Sequence, residues 1–193
     1  MKKIYFVRHG QAEHNVTGVF TDADVSLTKL GREQALGAAH EIKKLDDRIA
    51  AIIASPMART KETAQIIAAE LGFSPKHITR DERIRELKHG KFVGIPVTPE
   101  GREKRKRLFL TKNNELGVEW IGDLVQRVDA FAAGIRQRPE EVILVVGHNF
   151  TGRMLRRILG DQEHTKPMQR LKTAEAVQLY PYIEASPDVE KIL

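Results

Sequence analysis

The sequence predicts an α/β fold with a mostly parallel central sheet, and two observations support this. Short β-branched apolar runs recur along the 193 residues, separated by longer segments with helical spacing of apolar side chains. Apolar residues make up 41% of the chain and charged residues 30%, which is ordinary for a globular protein. Because a chain of this length buries about 70% of its unfolded surface, we expect a single domain over residues 1–193.

The apolar runs predict strands at Lys3 to Val7, Ala50 to Ala54, Val142 to Val146 and, with weaker patterning, Ala176 to Tyr180. Helical spacing predicts helices at Thr28 to Leu45, from Ser55-Pro56 to Gly72, at Val118 to Gln137 and at Thr151 to Leu159. Thr28 is the expected N-cap of the first helix, and Ser55 is the expected N-cap of the second, with proline in its first turn.

The stretch from Lys88 to Leu110 contains three glycines and two prolines. Residues of these types interrupt regular structure, so we predict a loop or cap here rather than a core element. A cap or lid insertion is therefore expected over about residues 88–118.

Composition excludes several classes of protein. The chain has no cysteine, so disulfides are excluded. Its longest apolar runs, such as Val142 to Val146, are far short of the roughly 20 residues that span a bilayer. The apolar stretch Ile4 to Val7 runs directly into Arg8-His9, which disfavours a secretory signal. We expect a cytoplasmic protein that does not bind membranes.

The formal net charge of +6 suits an anionic partner. The densest basic run, Arg102 to Arg107, contains no aromatic residue that could stack on bases, so nucleic acid is not the expected partner. Two interpretations of this run remain open: a solvated helix face, or a lid that faces the substrate.

Neither a metal nor a nucleotide cofactor is predicted. No two histidines have the His-x-x-x-His spacing of a helical zinc site, and cysteine ligands are absent. The phosphate-binding glycine loops of nucleotide-binding folds are also missing.

Two of the predicted strands lead into histidines. Arg8-His9 follows the first strand, and Gly147-His148 follows the strand that begins at Val142. The carboxyl ends of parallel strands meet at one edge of a sheet, where ligands bind. The strand ending at Ala54 delivers Arg59 to the first turn of a helix, an end that attracts anions. The sequence therefore predicts a phosphate-sized anion site.

Such a site suits phosphoryl transfer. Imidazole can act as a nucleophile that forms a covalent intermediate. Planar guanidinium groups match the oxygens of a phosphoryl group. A departing alkoxide also needs a proton, which calls for a carboxylic acid near the site.

Five ordered blocks resemble a known family. They are Arg8-His9-Gly10, Asn15 six residues after His9, Leu27-Thr28-x-x-Gly31-x-x-Gln34-Ala35, Ser55-Pro56-x-x-Arg59-Thr60-x-x-Thr63-Ala64, and Gly147-His148. In these blocks, which lie within residues 2–160, the chain resembles the histidine phosphatase superfamily, in its phosphoglycerate-mutase-like branch. The resemblance implies a three-layer α/β/α sandwich.

The resemblance also implies roles for individual residues. His9 would be the nucleophile that becomes phosphohistidine, Arg8 and Arg59 would hold the phosphoryl oxygens, and His148 would donate a further hydrogen bond. Glu86, in the block Ile84 to Gly90, would be the proton donor. Further substrate-binding positions are Gly10, Asn15, Thr21 and Asn149. The pocket would contain no metal.

Glu86 lies in a charged run, so Asp81 and Glu82 are the alternative acids. The sequence departs from the family pattern at Val93, where a second glutamate is common. It departs again at Trp120 to Asp123, near where many members carry Gly-Glu-Ser. His14 and His89 lie close to the motifs, and we interpret both as bystanders.

We therefore expect a metal-independent phosphatase acting on a small phosphorylated substrate or a phosphoprotein. A phosphomutase could use the same phosphohistidine, although the 61 residues between Glu86 and His148 favour hydrolysis because related mutases are generally longer there. A phosphate-binding or regulatory protein without turnover is the third possibility. The physiological substrate, which we expect residues 88–118 and the tail after Gly160 to select, and the oligomeric state remain open.

Overall fold

The computed structural model describes residues 2–45 and 47–160, together with the backbone of residues 176–180. Within these residues the sheet has the strand order β3-β2-β4-β1-β5. The strands are β1 (Lys3–Arg8), β2 (Ala51–Ala54), β3 (Thr79–Arg80), β4 (Val142–Gly147) and β5 (Ala176–Tyr180). The first four are parallel to their neighbours and β5 is antiparallel to β1, which confirms the mostly parallel sheet. The two-residue β3 was not predicted, because so short a strand leaves no pattern in the sequence.

The helices are α1 (Glu13–Thr17), α2 (Lys29–Lys43), α3 (Ala58–Glu70), α4 (Pro99–Leu110), α5 (Ile121–Gln137) and α6 (Asn149–Leu159). Thr28 caps α2 as predicted, since its hydroxyl accepts a hydrogen bond from the Gly31 amide at 3.0 Å. Gly72 follows the end of α3 with a φ of +66°, a conformation that favours glycine.

Alternation along the strands builds the three layers. Ile4 and Phe6 of β1 belong to the apolar core that also contains buried side chains of α5 and α6. Tyr5 and Val7 point to the opposite face, where they pack with buried residues of α2 and α3. Because successive side chains of a strand face opposite sides, this one short run supplies both cores of an α/β/α sandwich.

The segment from Lys88 to Leu110 is more regular than the sequence predicted, and two of its aromatic side chains are buried. Thr98 caps α4 by accepting a hydrogen bond from the Gly101 amide, and Pro99 occupies the first turn. Proline is compatible with that position because a first-turn N–H has no helical acceptor, so its absence costs no hydrogen bond. Phe92 and Phe109 are buried in the core shared with α5 and α6. The glycines and prolines of this segment therefore lie both in loops and in the first turn of α4.

A backbone crossing fixes the loop after β1. A Cβ atom on Gly10 would lie 2.2 Å from the Gly31 carbonyl oxygen, and one on Gly31 would lie 2.0 Å from that of Gln11. Only glycine permits so close an approach between this loop and the start of α2. The residue that precedes Gly10 is thereby held in a fixed place at the strand end.

Across residues 2–45 and 47–160, no helix is both long and apolar enough to cross a membrane.

Candidate functional site

The strand register brings the predicted site residues to one edge of the sheet. Arg8 pairs with Gly147, and the His9 amide donates to the Gly147 carbonyl oxygen at 3.0 Å. The rings of His9 and His148 consequently lie with centroids 5.2 Å apart. The four basic side chains expected to form the phosphate pocket are buried, with exposed fractions of 7% for Arg8, 2% for His9, 1% for Arg59 and 0% for His148.

A backbone carbonyl group determines which ring nitrogen of His9 carries the proton. Its Nδ1 lies 2.7 Å from the carbonyl oxygen of Gly10, which can only accept, so Nδ1 carries the hydrogen and donates. Burial, followed by the charges of Arg59 and Arg8, lowers the pKa of His9 well below its ordinary value of 6.5. The ring is therefore neutral at pH 7, with the lone pair on Nε2.

Arg59 lies in the first turn of α3, as predicted, and turns inward. Its Nη1 donates to the Ala23 carbonyl oxygen at 3.2 Å, and its Nη2 lies 3.4 Å from the sulfur of Met57. Its Nε is buried and has no hydrogen-bond partner among the described residues. Burial lowers the pKa of Arg59, and the charge of Glu86 acts in the opposite direction.

The predicted capping role of Ser55 was wrong. The N-cap of α3 is Met57, and an Asp24 carboxylate oxygen accepts from the Ala58 amide. The hydroxyl of Ser55 instead lies 2.8 Å from Nε2 of His148, which holds that ring in place. Ser55 does not cap the helix because its hydroxyl is bound to the buried imidazole of His148, a contact that depends on the tertiary structure.

His148 is the N-cap residue of α6 by position, and its side chain faces the site. Its Nδ1 is buried and has no hydrogen-bond partner within the described structure. Burial, followed by the charges of Arg59 and Arg8, lowers the pKa of His148 well below 6.5. If Nε2 of the neutral His148 accepts a hydrogen bond from the Ser55 hydroxyl, the ring proton lies on Nδ1, where it could be donated to an anion.

The Glu86 carboxylate lies against the start of α6. Its oxygens accept hydrogen bonds from the backbone amides of Phe150, at 3.1 and 3.2 Å, and Thr151, at 3.3 Å. These amides immediately follow His148 and Asn149 in the chain, so the acid lies on the same rim as the two histidines. Asn149 itself is half-buried as the first residue of α6.

The two alternative acids are placed less favourably. Asp81 is held by Arg83, with a shortest contact of 2.6 Å, and caps the turn at residues 82–84. Glu82 pairs with Arg85, and its side chain is 72% exposed. Of the three carboxylates, Glu86 is the one bonded to the element that carries His148.

A cavity of about 330 Å³ adjoins Glu86. Its lining contains acidic, basic and uncharged side chains: Thr21, Asp22, Met57, Glu82, Arg85, Glu86 and Lys88. Thr21, which the resemblance gave as a substrate-binding position, lines this cavity together with Glu86. Its hydroxyl oxygen accepts from the Ala23 amide at 2.9 Å.

Asn15 and Gly10 both make hydrogen bonds within the described structure. The Asn15 side-chain oxygen accepts from the Ala12 amide at 2.9 Å, and its nitrogen lies 3.0 Å from Nε2 of His14. The Gly10 amide donates to the hydroxyl of Thr63 at 3.2 Å. One N–H of Asn15 remains for a substrate oxygen, because an amide nitrogen carries two.

The basic run at residues 102–107 lies on α4, and most of it forms a solvated face. Arg102, Lys104, Lys106 and Arg107 are exposed on α4, as a solvated face requires. Arg105 alone turns inward, where its guanidinium lies 5.4 Å from the ring centre of Phe20 and 5.2 Å from that of Phe150.

Sequence reasoning missed an ion pair behind the acid. Arg127 of α5 binds Glu119 through two contacts of 2.6 and 2.9 Å, and its Nη1 donates to the carbonyl oxygens of Arg83 and Arg85. Glu119 in turn accepts from the Lys88 amide. The available signal was an acidic residue eight positions before an arginine, a pattern too common to stand out.

Across residues 2–45 and 47–160, no group of three or more histidine, cysteine or acidic side chains is arranged to hold a metal ion.

Comparison with known proteins agrees with the fold and identifies the family. The family model of the histidine phosphatase superfamily (branch 1) matches residues 4–184. A protein of Salmonella paratyphi A designated a probable phosphoglycerate mutase is 33% identical over 168 residues, covering 83% of this chain and 76% of that protein. A candidate phosphoserine phosphatase of Hydrogenobacter thermophilus is 29% identical over 166 residues, covering 78% and 75%. The solved mycobacterial glucosyl-3-phosphoglycerate phosphatase in complex with VO3 superimposes with a TM-score of 0.76 over 92% of each chain, at 22% identity.

Proposed function

Because the chain belongs to the histidine phosphatase superfamily (branch 1), we propose that it hydrolyses a phosphomonoester without a metal, through a phosphohistidine on His9. The observation that carries the proposal is the fixed neutral tautomer of His9. Its Nδ1 proton is held by the Gly10 carbonyl oxygen, and Nε2 keeps the lone pair that a nucleophile needs.

In the first proposed step, Nε2 of His9 forms a bond to phosphorus while the bond to the ester oxygen breaks. Glu86, protonated at this stage, gives its proton to the departing oxygen. Arg8 and Arg59 stabilise the charge on the phosphoryl oxygens, and His148 donates from Nδ1.

In the second step, water attacks the phosphohistidine. The Glu86 carboxylate takes a proton from the water as the new phosphorus–oxygen bond forms. The bond between phosphorus and Nε2 breaks, which returns inorganic phosphate and neutral His9. The α6 amides support this assignment by holding the Glu86 carboxylate on the rim that carries the two histidines.

Residues 88–118 are proposed to act as a cap within a single domain. Phe92 and Phe109 anchor the segment in the core, and Arg105 points from α4 toward the rings of Phe20 and Phe150 beside the site. We expect this segment to select the substrate. The lining of the adjoining cavity includes Arg85, Lys88 and Asp22, and this polar lining favours a small polar phosphoester.

A phosphomutase is the second candidate, favoured by the relative that is 33% identical and carries a mutase designation. The two activities share the phosphohistidine and differ in what accepts the phosphoryl group. Dependence of turnover on a bisphosphorylated primer, with transfer to a second hydroxyl group, would assign the chain to the mutases.

The test is hydrolysis of an aryl phosphate in the presence of a chelator, comparing the unaltered protein with His9→Ala. We expect the unaltered protein to be active and His9→Ala to be inactive. His77→Ala, which removes an exposed histidine from the turn at residues 75–77, should keep full activity and serves as the control. Hydrolysis by His9→Ala would refute the nucleophile, and loss of activity on chelation would refute the metal-free mechanism.

A further inference from the structure

A third histidine lies beside the proposed nucleophile. His14 belongs to the short helix α1, and its ring centroid is 5.8 Å from that of His9. The side chain is half-buried, although its neighbours Glu13 and Asn15 are exposed. The mechanism proposed above makes no use of it.

The hydrogen bonds of Asn15 fix the proton of His14. The Asn15 side-chain oxygen accepts from the Ala12 amide, so the side-chain nitrogen is the atom that faces Nε2 of His14 at 3.0 Å. An amide nitrogen can only donate, and Nε2 must therefore accept. In a neutral imidazole this places the hydrogen on Nδ1.

That Nδ1–H is buried and has no partner among the described residues. Burial and the charges of Arg59 and Arg8 lower the pKa of His14 to about 4, so the ring is neutral at pH 7. A buried donor without an acceptor costs free energy comparable to a lost hydrogen bond. The groups that bring positive charge to this donor, Arg8 and Arg59, are the same groups that line the phosphate pocket.

We propose that His14 is a further phosphoryl-binding residue, whose Nδ1–H donates to a phosphoryl oxygen and whose orientation is set by Asn15. The inference rests on the proposed pocket but not on turnover. Within the pair, Asn15 holds the ring and His14 contacts the anion. A neutral donor adds a hydrogen bond without adding a third positive charge beside His9.

The test is equilibrium binding of inorganic phosphate at pH 7, measured by calorimetry on the full chain. His14→Leu removes the donor, and His14→Asn keeps an N–H near the position of Nδ1. We expect His14→Leu to weaken phosphate binding about fivefold or more, as the loss of one buried hydrogen bond implies. His14→Asn should bind more tightly than His14→Leu.

Val16→Asn is the matched control, because Val16 lies on the same helix with 66% of its surface exposed. It should bind phosphate as the unaltered protein does, and unfolding in urea would verify that each variant is folded. Equal binding by His14→Leu and the unaltered protein would overturn the inference. So would equal weakening in the leucine and asparagine variants, since the ring rather than its N–H would then be responsible.

The tautomer of His14 can be determined independently of phosphate affinity. Nitrogen-15 spectra of the histidine rings distinguish Nδ1–H from Nε2–H, and we expect His14 to be protonated at Nδ1 and its signal to shift when phosphate binds. An Nε2–H tautomer in the phosphate complex would overturn the inference. Failure of the unaltered protein to bind phosphate at all would instead remove the pocket, and the proposed function with it.

Discussion

Burial and neighbouring cations act in the same direction on the histidines of the site. The pKa values of His9 and His148 lie well below 6.5 for both reasons, with burial the larger cause. Positive charge in the pocket is thus left to Arg8 and Arg59, which stay protonated and present planar donors. The separation suits the proposed phosphoryl transfer, because the proposed nucleophile His9 keeps its lone pair while the two guanidinium groups would bind the anion.

The role proposed for Glu86 can be tested through the leaving group. A general acid matters most when the departing oxygen is strongly basic, and such catalysis contributes about a hundredfold to ten-thousandfold. We expect Glu86→Gln to lose activity by about that factor on an alkyl phosphate. On an aryl phosphate with a strongly acidic phenol, the first step should be nearly unaffected.

The measurement is the rate of phenol release in a single turnover, across a series of leaving groups. Glu82→Gln, which removes an exposed carboxylate from the same segment, is the control and should give the rates of the unaltered protein for each leaving group. A uniform loss across the series in Glu86→Gln would contradict the acid assignment.

At the scale of elements, the segment that carries the acid depends on α5. Arg127 joins the carbonyl oxygens of Arg83 and Arg85 to Glu119, and the side chains of this ion pair are only 21% and 8% exposed. Glu119 also bonds the backbone of Lys88 in both directions. The backbone on both sides of Glu86 is therefore fixed by one guanidinium and its partner.

We expect Arg127→Met to misplace Glu86 and to lower kcat for alkyl phosphates about tenfold to a hundredfold, the scale of a displacement near 1 Å. KM should change little, and phenol release from an aryl phosphate with a strongly acidic phenol should be spared. Arg127→Lys should recover part of the loss. Arg138→Met, which removes an ion pair with Glu140 at the C-terminal end of α5, is the control and should keep the kcat of the unaltered protein.

A positioning role predicts the same dependence on leaving group as Glu86→Gln, in weaker form. A loss that is equal for all leaving groups, with normal stability in urea, would show that Arg127 does not act through Glu86.

At the scale of the whole molecule, the neutral histidines link stability to pH. The folded-state pKa is lowered to about 4 for His14 and to about 3 for His89, in each case first by burial, and lies well below 6.5 for His9 and His148. The unfolded chain binds protons near pH 6.5 and the folded chain does not, so stability is complete above pH 6.5 and falls as the pH decreases. Each histidine that stays neutral contributes at most about 1.4 kcal/mol per pH unit.

We therefore expect the free energy of unfolding in urea to be lower at about pH 5.5 than at about pH 7, above the range in which carboxylates titrate. His89→Phe replaces a titrating ring that packs 5.2 Å from Phe20 and should make the pH dependence shallower. His40→Phe alters an exposed ring on α2 and is the control. Stability that stays constant over this interval would contradict the prediction.

The sequence by itself determined the sheet, the paired histidines and the family. Strand patterns such as Val142 to Val146 are local, and the parallel connection of the strands forces Arg8-His9 and His148 to one edge. Arg59 was predicted from its position after the strand that ends at Ala54, which is also a local property, and Glu86 was implied by the resemblance to the family.

Only the tertiary structure decided which side chains meet. Ser55 binds His148 from 93 positions away, Glu86 reaches the amides of α6, and Arg127 holds the backbone of the acid segment from α5. His14 was interpreted from the sequence as a bystander. In the structure its ring lies beside His9, and its hydrogen bond with Asn15 determines which ring nitrogen carries the proton. A hydrogen bond depends on distance and direction between particular atoms, and for residues far apart in the chain these are set by the packing of whole elements, which leaves no periodic trace in the sequence.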